Sequence, residues 1–242
     1  MITATMRDGV AVITLRRPEK RNALDIPHLN EFTETFSGTL DRGVRTVVVT
    51  GEGQCFSAGA DLGQVYTSDF REALYRALQA ITAASIPVIA AVNGPAIGAG
   101  TQLAIACDLR VADVTASFAV PTAKNGLAVD PWTVRRLATL AGGATASAML
   151  LACEIFDVHA AVQRGLADRV GDLDAALRLA DELATFAPLS LSYSKRALQR
   201  LLEPEARDEH LVALFEECWG SADFAEAQIA RVERRTPKFI GK

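Results

Sequence analysis

The chain has 242 residues, half of them hydrophobic, 22% charged, and a formal net charge of −4 at neutral pH. This composition supports a large core and excludes disorder, and the slight acidity argues against a nucleic-acid partner. Four cysteines (Cys55, Cys107, Cys153 and Cys218) form no CxxC pair, and no secretory leader is seen, so reduced core thiols in a cytoplasmic protein are expected.

Val10 to Leu15 (VAVITL) reads as a strand, paired through Arg7-Asp8-Gly9 with Ile2 to Met6. The charged loop RRPEKRNAL follows. Pro27 suits the first turn of a helix over about residues 27–42, with Leu29, Phe32, Phe36 and Leu40 at helical spacing. Thr46 to Thr50 (TVVVT) is an apolar strand of the kind covered on both faces. The Gly-rich loop GEGQCFSAGADL leads to a helix over about residues 69–84, then to a buried strand at Pro87 to Val92.

Ala77 to Cys107 carries no charge and is longer than the roughly 20 residues of a membrane span. Pro87, Asn93-Gly94-Pro95, Gly98 and Gly100 divide it into a helix end, a strand, a turn and a buried helix, so no membrane span is expected. Short strands at Leu109 to Ala112 and Ser117 to Ala119 come next. Helices over about residues 133–151 and 157–164 precede a strand at about residues 167–170. From about Leu173 to Arg235 the chain reads as helices broken at Pro188 and Pro204. The class is α/β, with a core over residues 1–187 and a helical region over residues 188–242.

Two loops share one design, in which a buried strand runs into a Gly/Ala turn that opens a helix: Thr50 to Asp61, and Val92 to Gln102. In the second, Gly98 and Gly100 allow close backbone approach. The first amides of a helix have no internal partner, and the helix dipole favours developing negative charge there. Two such amides could clamp one carbonyl oxygen as an oxyanion hole. The same glycines could equally serve only tight packing. There is no phosphate-loop fingerprint, no GxSxG and no HExxH, and His28, His159 and His210 are scattered without metal spacing.

The segments RPEKRNAL, FSAGADL, NGPAIGAGTQLAIACDLRVA, FAVPTAKNGL and RRTPKFIGK, in that order over nearly the whole chain, resemble the enoyl-CoA hydratase/isomerase (crotonase) family, and in particular its actinobacterial paralogues. The resemblance implies a spiral of ββα units with a C-terminal helical region that packs in a homotrimer or homohexamer. It implies a coenzyme A thioester, a fatty acyl-CoA or similar, as substrate or ligand and no further cofactor. The thioester oxygen would lie on the backbone amides of Ala60 and Ala99, where alanine stands at a second position usually held by glycine. CoA would run along Arg21, Ala23 and Leu24 and along Ala58, Ala60, Asp61 and Leu62. Lys238 and Phe239 would reach the CoA of an adjacent subunit. Arg21 and Lys238 could instead be ordinary solvated charges.

Family hydratases use two glutamates, one on the helix after the oxyanion turn and one after a proline in the next loop. Those positions are Gln102 and Thr122 here, and neither can act as a carboxylate base or a carboxylic acid. Gln102 is either a positioning amide or a satisfied buried one. Asp130 falls where some members, such as 4-chlorobenzoyl-CoA dehalogenases, carry a catalytic aspartate, but it also precedes Pro131 and a helical run and so fits a helix cap. Three readings follow: a hydratase of lipid metabolism with weak or altered activity, a non-catalytic acyl-CoA carrier, or another reaction of the family (isomerisation, decarboxylation or thioester hydrolysis) through Asp130.

Overall fold

The computed structural model describes residues 1–61, 68–125, 127–201, 217 and 221–242. In chain order its strands are β1 (Ile2–Arg7), β2 (Val10–Leu15), β3 (Thr46–Gly51), β4 (Val88–Val92), β5 (Pro95–Ile97), β6 (Leu109–Ala112), β7 (Ser117–Ala119), β8 (Phe156–Asp157) and β9 (Arg169–Val170). The described helices are α1 (Ile26–Leu40), α2 (Ser68–Ala83), α3 (Ala99–Ala106), α4 (Pro131–Leu150), α5 (Val158–Gln163), α6 (Leu173–Ala184), α7 (Pro188–Arg200) and α8 (Ala222–Glu233).

Asp8 and Gly9, with φ of 51° and 82°, turn β1 back on β2 in the two-residue geometry that matches strand twist. The sheet continues in parallel through β3, β4, β6 and β9, giving the order β1-β2-β3-β4-β6-β9. Every residue of β3 and β4 is buried, as their unbroken apolar runs require. The main core lies on the face covered by α1 and α2, where Leu29, Phe32 and Phe36 of α1 are sealed from solvent. On the opposite face, Ala176, Leu179 and Ala180 of α6 pack on Val48, Ile89, Ala91 and Val111.

A second, smaller sheet joins β5 to β7 in parallel and β7 to β8 antiparallel. The sequence reading places β5 inside a turn and has no β8. Each is two or three residues long and exists only through partners distant in sequence, which no local pattern reports. Helix α4 begins two residues earlier than the pattern suggests, and Gly142, with φ 80°, breaks its regularity. Pro204 and Cys218 lie outside the described residues, and Cys55, Cys107 and Cys153 are buried free thiols. No described helix is long and apolar enough to cross a membrane.

The small sheet brings the two glycine-rich loops together. Ser57 N donates to Pro95 O at 3.2 Å and Ile97 N donates to Ser57 O at 2.9 Å, so the first loop pairs with β5 along its edge. Such contact leaves no room for a side chain where the backbones are closest. A Cβ on Gly100 would run into the Ser57 carbonyl, and one on Gly59, whose φ is also +89°, would run into the Ile97 carbonyl. Gly98 departs from the expectation of close approach: a Cβ there meets nothing within 4 Å, and its φ of +54° is what requires glycine.

Helix α7 is pinned to the core by Lys195, whose buried ammonium donates to Ile81 O and Ile86 O, both at 3.0 Å, and pairs with Asp108 at 2.8 Å. On the C-terminal helices the apolar side chains of Leu198, Ile229 and Val232 are exposed. Gly100→Ala is expected to lose about 1–3 kcal/mol of stability through overpacking. Gly38→Ala, at an exposed site in α1 where a Cβ meets nothing, is expected to gain about 0.5–1 kcal/mol. Urea unfolding of the two variants beside the parent checks both signs.

Candidate active site

Helix α3 is buried at all eight residues, an unusual setting for a helix whose ends carry unpaired backbone groups. Its C-terminal end is satisfied by two buried arginines. Arg136 Nε donates to Ile105 O at 2.7 Å, and Arg110 Nη1 donates to Cys107 O at 3.0 Å, placing positive charge where the helix dipole is negative. Burial pushes the Cys107 thiol up to about 12, so it is no nucleophile.

At the N-terminal end, Ala99 is the first residue of α3, and its N–H has no acceptor among the described residues. The other amide comes from the first loop. Leu24 N donates to Gly59 O at 2.8 Å and Asp61 N donates to Leu24 O at 2.7 Å. This parallel bridge uses the groups on either side of Ala60 and leaves the Ala60 N–H without an acceptor among the described residues. Both alanines line one cavity of about 370 Å³, together with Gln102, Thr122 and Asp130.

Ser57 organises this arrangement. Fully buried, it donates its hydroxyl to Asn22 O at 2.8 Å and accepts from Gly59 N at 3.2 Å. Ala58 N donates to Arg21 O at 2.9 Å, so the segment Arg21–Leu24 lies alongside Ala58–Asp61. The structure therefore brings Arg21, Ala23, Leu24, Ala58, Ala60 and Asp61 together on adjacent strands of chain. Asp61 is ion-paired with Arg17 at 3.3 Å and Lys20 at 3.4 Å. Leu62 lies outside the described residues. Lys238 and Phe239 do not line this chain's cavity. They sit on the tail after α8, where Lys238 N donates to Glu226 at 2.8 Å and the amides of Ile240 and Gly241 donate to Asp223.

Asp130 is the N-cap of α4. Its Oδ1 accepts from Thr133 N at 3.1 Å, and its Oδ2 accepts from the Thr133 hydroxyl at 2.6 Å and from Gln102 Nε2 at 3.1 Å. Gln102 Nε2 also donates to Thr133 Oγ1 at 2.7 Å. These partners settle the amide's orientation, because a carboxylate only accepts and the hydroxyl proton is already used on Asp130. The Gln102 carbonyl oxygen has no partner among the described residues. The Thr122 hydroxyl likewise has none there, while the Thr122 carbonyl accepts from Asn125 N and Leu127 N, both at 2.9 Å.

Sequence reasoning misses Ser57, Thr133 and the cavity wall on α2. The Asp130-x-x-Thr133 spacing is a capping signal that could have revealed the second of these. Arg71 and Tyr75 line the cavity from α2, one turn apart. Burial raises the Tyr75 phenol above its usual pKa and the nearby Asp130 charge adds to this, partly offset by Arg71, so Tyr75 is a neutral donor at physiological pH. Among the described residues, no cluster of three metal-ligating side chains occurs.

The sequence profile of the family described as enoyl-CoA hydratase/isomerase matches residues 5–242, so the chain belongs to that family. The protein named probable enoyl-CoA hydratase echA6 of Mycobacterium tuberculosis is 44% identical over 245 residues, spanning 100% of both chains. The 2,3-dehydroadipyl-CoA hydratase of Escherichia coli is 34% identical over 258 residues, covering 100% of this chain and 99% of its own. A crystal structure described as an enoyl-CoA hydratase/carnithine racemase from Magnetospirillum magneticum superposes with a TM-score of 0.90 at 29% identity, covering 100% of this chain and 96% of the other. The fold is thus that of the crotonases.

Placing a carboxylate at position 102 would set it against Asp130. In Gln102→Glu the new carboxyl is expected to have a raised pKa in the folded state, because burial and a like charge both disfavour ionisation. The folded state then binds more protons than the unfolded one. Stability relative to the parent should therefore fall as pH rises through and above the ordinary glutamate range. Melting curves of parent and variant from pH 4 to pH 8 check this: a gap in Tm that widens with pH is expected.

Proposed function

We propose that this protein binds an acyl-CoA thioester, with the thioester oxygen on the amides of Ala60 and Ala99, and hydrates enoyl thioesters only slowly. One observation carries the reading: two unpartnered main-chain N–H groups line the same cavity, while the side chains near them that could move a proton are neutral or already engaged. Preorganised donors polarise a carbonyl wherever charge develops on its oxygen. Hydration also needs a base for water and an acid for the α-carbon, each worth about 10²–10⁴-fold in rate. Gln102 is neutral, Thr122 offers only a hydroxyl, and Asp130 accepts three hydrogen bonds as a helix cap. The names of the relatives, both hydratases named for a CoA thioester, support the ligand class.

In this reading CoA lies along Arg21–Leu24 and Ala58–Asp61, and the protein serves fatty acid metabolism in the cytoplasm as a carrier or slow hydratase. The exposed apolar residues of α7 and α8 form the contact of a homotrimer or homohexamer, which would bring Lys238 and Phe239 of one subunit to the CoA of the next. Val232→Asp is expected to shift sedimentation towards the monomer.

Calorimetry with butyryl-CoA, octanoyl-CoA and free CoA tests binding: the acyl forms should bind at least about tenfold tighter, the equivalent of roughly 1.4 kcal/mol. Equal affinity for free CoA would sink the ligand assignment. Crotonyl-CoA hydration should run about 10²-fold or more below a glutamate-bearing hydratase assayed in parallel. Turnover on a par with that enzyme would overturn the second half of the reading. Asp130→Asn should leave any residual turnover within a few-fold of the parent; its complete loss would make Asp130 the reactive group.

A further inference from the structure

The cavity contains an acceptor whose orientation is fixed and which opens onto the space a ligand would fill, so that a bound ligand either supplies its partner or displaces its water. Gln102 is buried, and both protons of its amide nitrogen are used, one on Asp130 and one on Thr133. Turning the amide over would set its oxygen against the Asp130 carboxylate and against a threonine oxygen whose own proton is already given to Asp130. Two hydrogen bonds would be replaced by two repulsions, so the carbonyl oxygen of Gln102 stays turned away from them and acts only as an acceptor. It belongs to a cavity-lining side chain and has no partner among the described residues.

Its position relative to the free amides follows from helix geometry. Ala99 and Gln102 are three apart on α3 and so lie on one face, with side chains about 5–6 Å apart at their Cβ atoms. A thioester oxygen held by the Ala99 N–H therefore sets the first few acyl carbons beside the Gln102 carbonyl. A saturated or an enoyl thioester has no donor to offer there, since its α- and β-carbons carry only C–H. A hydroxyl on one of those carbons supplies the missing proton, and Thr122, whose hydroxyl has no partner among the described residues, lines the same cavity.

We propose that Gln102 makes the site selective for hydroxyacyl thioesters, those with a hydroxyl on the α- or β-carbon, over the saturated and enoyl forms. The inference rests on the acyl-CoA reading above and specifies it further. Asp130 and Thr133 are then positioning residues: they hold the amide with its oxygen outward, and the ligand's hydroxyl donates to that oxygen. The family chemistry of hydration leaves a hydroxyl on the β-carbon, so a 3-hydroxyacyl thioester, the hydrated form, satisfies this site as an enoyl thioester does not.

The test is calorimetry of the full chain with free CoA, butyryl-CoA, crotonyl-CoA, 2-hydroxybutyryl-CoA and both enantiomers of 3-hydroxybutyryl-CoA. One hydroxyacyl form is expected to bind about three- to tenfold tighter than butyryl-CoA, the range for one net neutral hydrogen bond. Which isomer wins tells the α- from the β-position. Gln102→Met should erase the difference, and Thr133→Val, which removes one of the two bonds fixing the amide, should shrink it. The second variant decides the matter if the first does not fold. Butyryl-CoA binding tighter than free CoA with no gain from any hydroxyl overturns this inference and leaves the acyl-CoA reading standing. A preference that survives in Gln102→Met also overturns it, because the hydroxyl would then have another partner. If no thioester binds better than free CoA, both fall together.

Discussion

The site depends on a short backbone contact between two loops. Ser57 exchanges hydrogen bonds with Pro95 and Ile97, and through that exchange the loop following one buried strand is set against the turn that opens α3. Everything the cavity can do with a carbonyl follows from it. The amide of Ala60 is freed because its neighbours pair with Leu24, and the amide of Ala99 is freed because it begins a helix. Two glycines, Gly59 and Gly100, have no side chain because the opposing carbonyls occupy that space. The Ser57 hydroxyl bonds a third segment at Asn22, so the wall proposed for CoA and the two cavity amides proposed as oxyanion donors are parts of one hydrogen-bonded unit.

The polar chemistry of the cavity is equally constrained by structure. Asp130 begins α4 by capping it, and that role fills its oxygens with donors from Thr133 and Gln102. A carboxylate engaged in this way has its oxygens directed at the protein's own donors rather than at a ligand. The same contacts turn Gln102 from a loose polar side chain into a directed acceptor. A glutamate at position 102 would conflict with Asp130, so the residue type at 102 and the cap at 130 are one choice rather than two. The glutamine at 102 is therefore matched to the packing of α3 on α4.

Helix α3 can be wholly buried because its far end is satisfied from elsewhere. Arg136 and Arg110 donate to its last carbonyls, and burial and the neighbouring Arg110 charge lower Arg136 to about 10, still protonated at neutral pH. Arg136 also reaches Gln199 on α7 at 2.9 Å, linking the interior of the fold beside α3 to the C-terminal region. Overlapping contacts of this kind anchor the far end of the helix whose first residue lines the cavity.

Much of the architecture could be read from the chain alone. The apolar runs of β3 and β4, the spacing of Leu29, Phe32 and Phe36, and the proline and aspartate before α4 each state a local preference strongly enough to define an element. The residues flanking the cavity were legible for the same reason, because glycine–alanine turns between a buried strand and a helix leave amides unpaired. Tertiary structure alone decided the rest. Strands β5 and β8 are too short to form without distant partners. The role of Ser57 lies in backbone groups that every residue possesses, and the wall of Arg71 and Tyr75 comes from a helix whose packing no motif records. The direction in which Gln102 points depends on Thr133, 31 residues away and brought near only by folding. Sequence determines which donors and acceptors a chain owns, but their direction is set by neighbours, and for buried polar groups direction decides the chemistry.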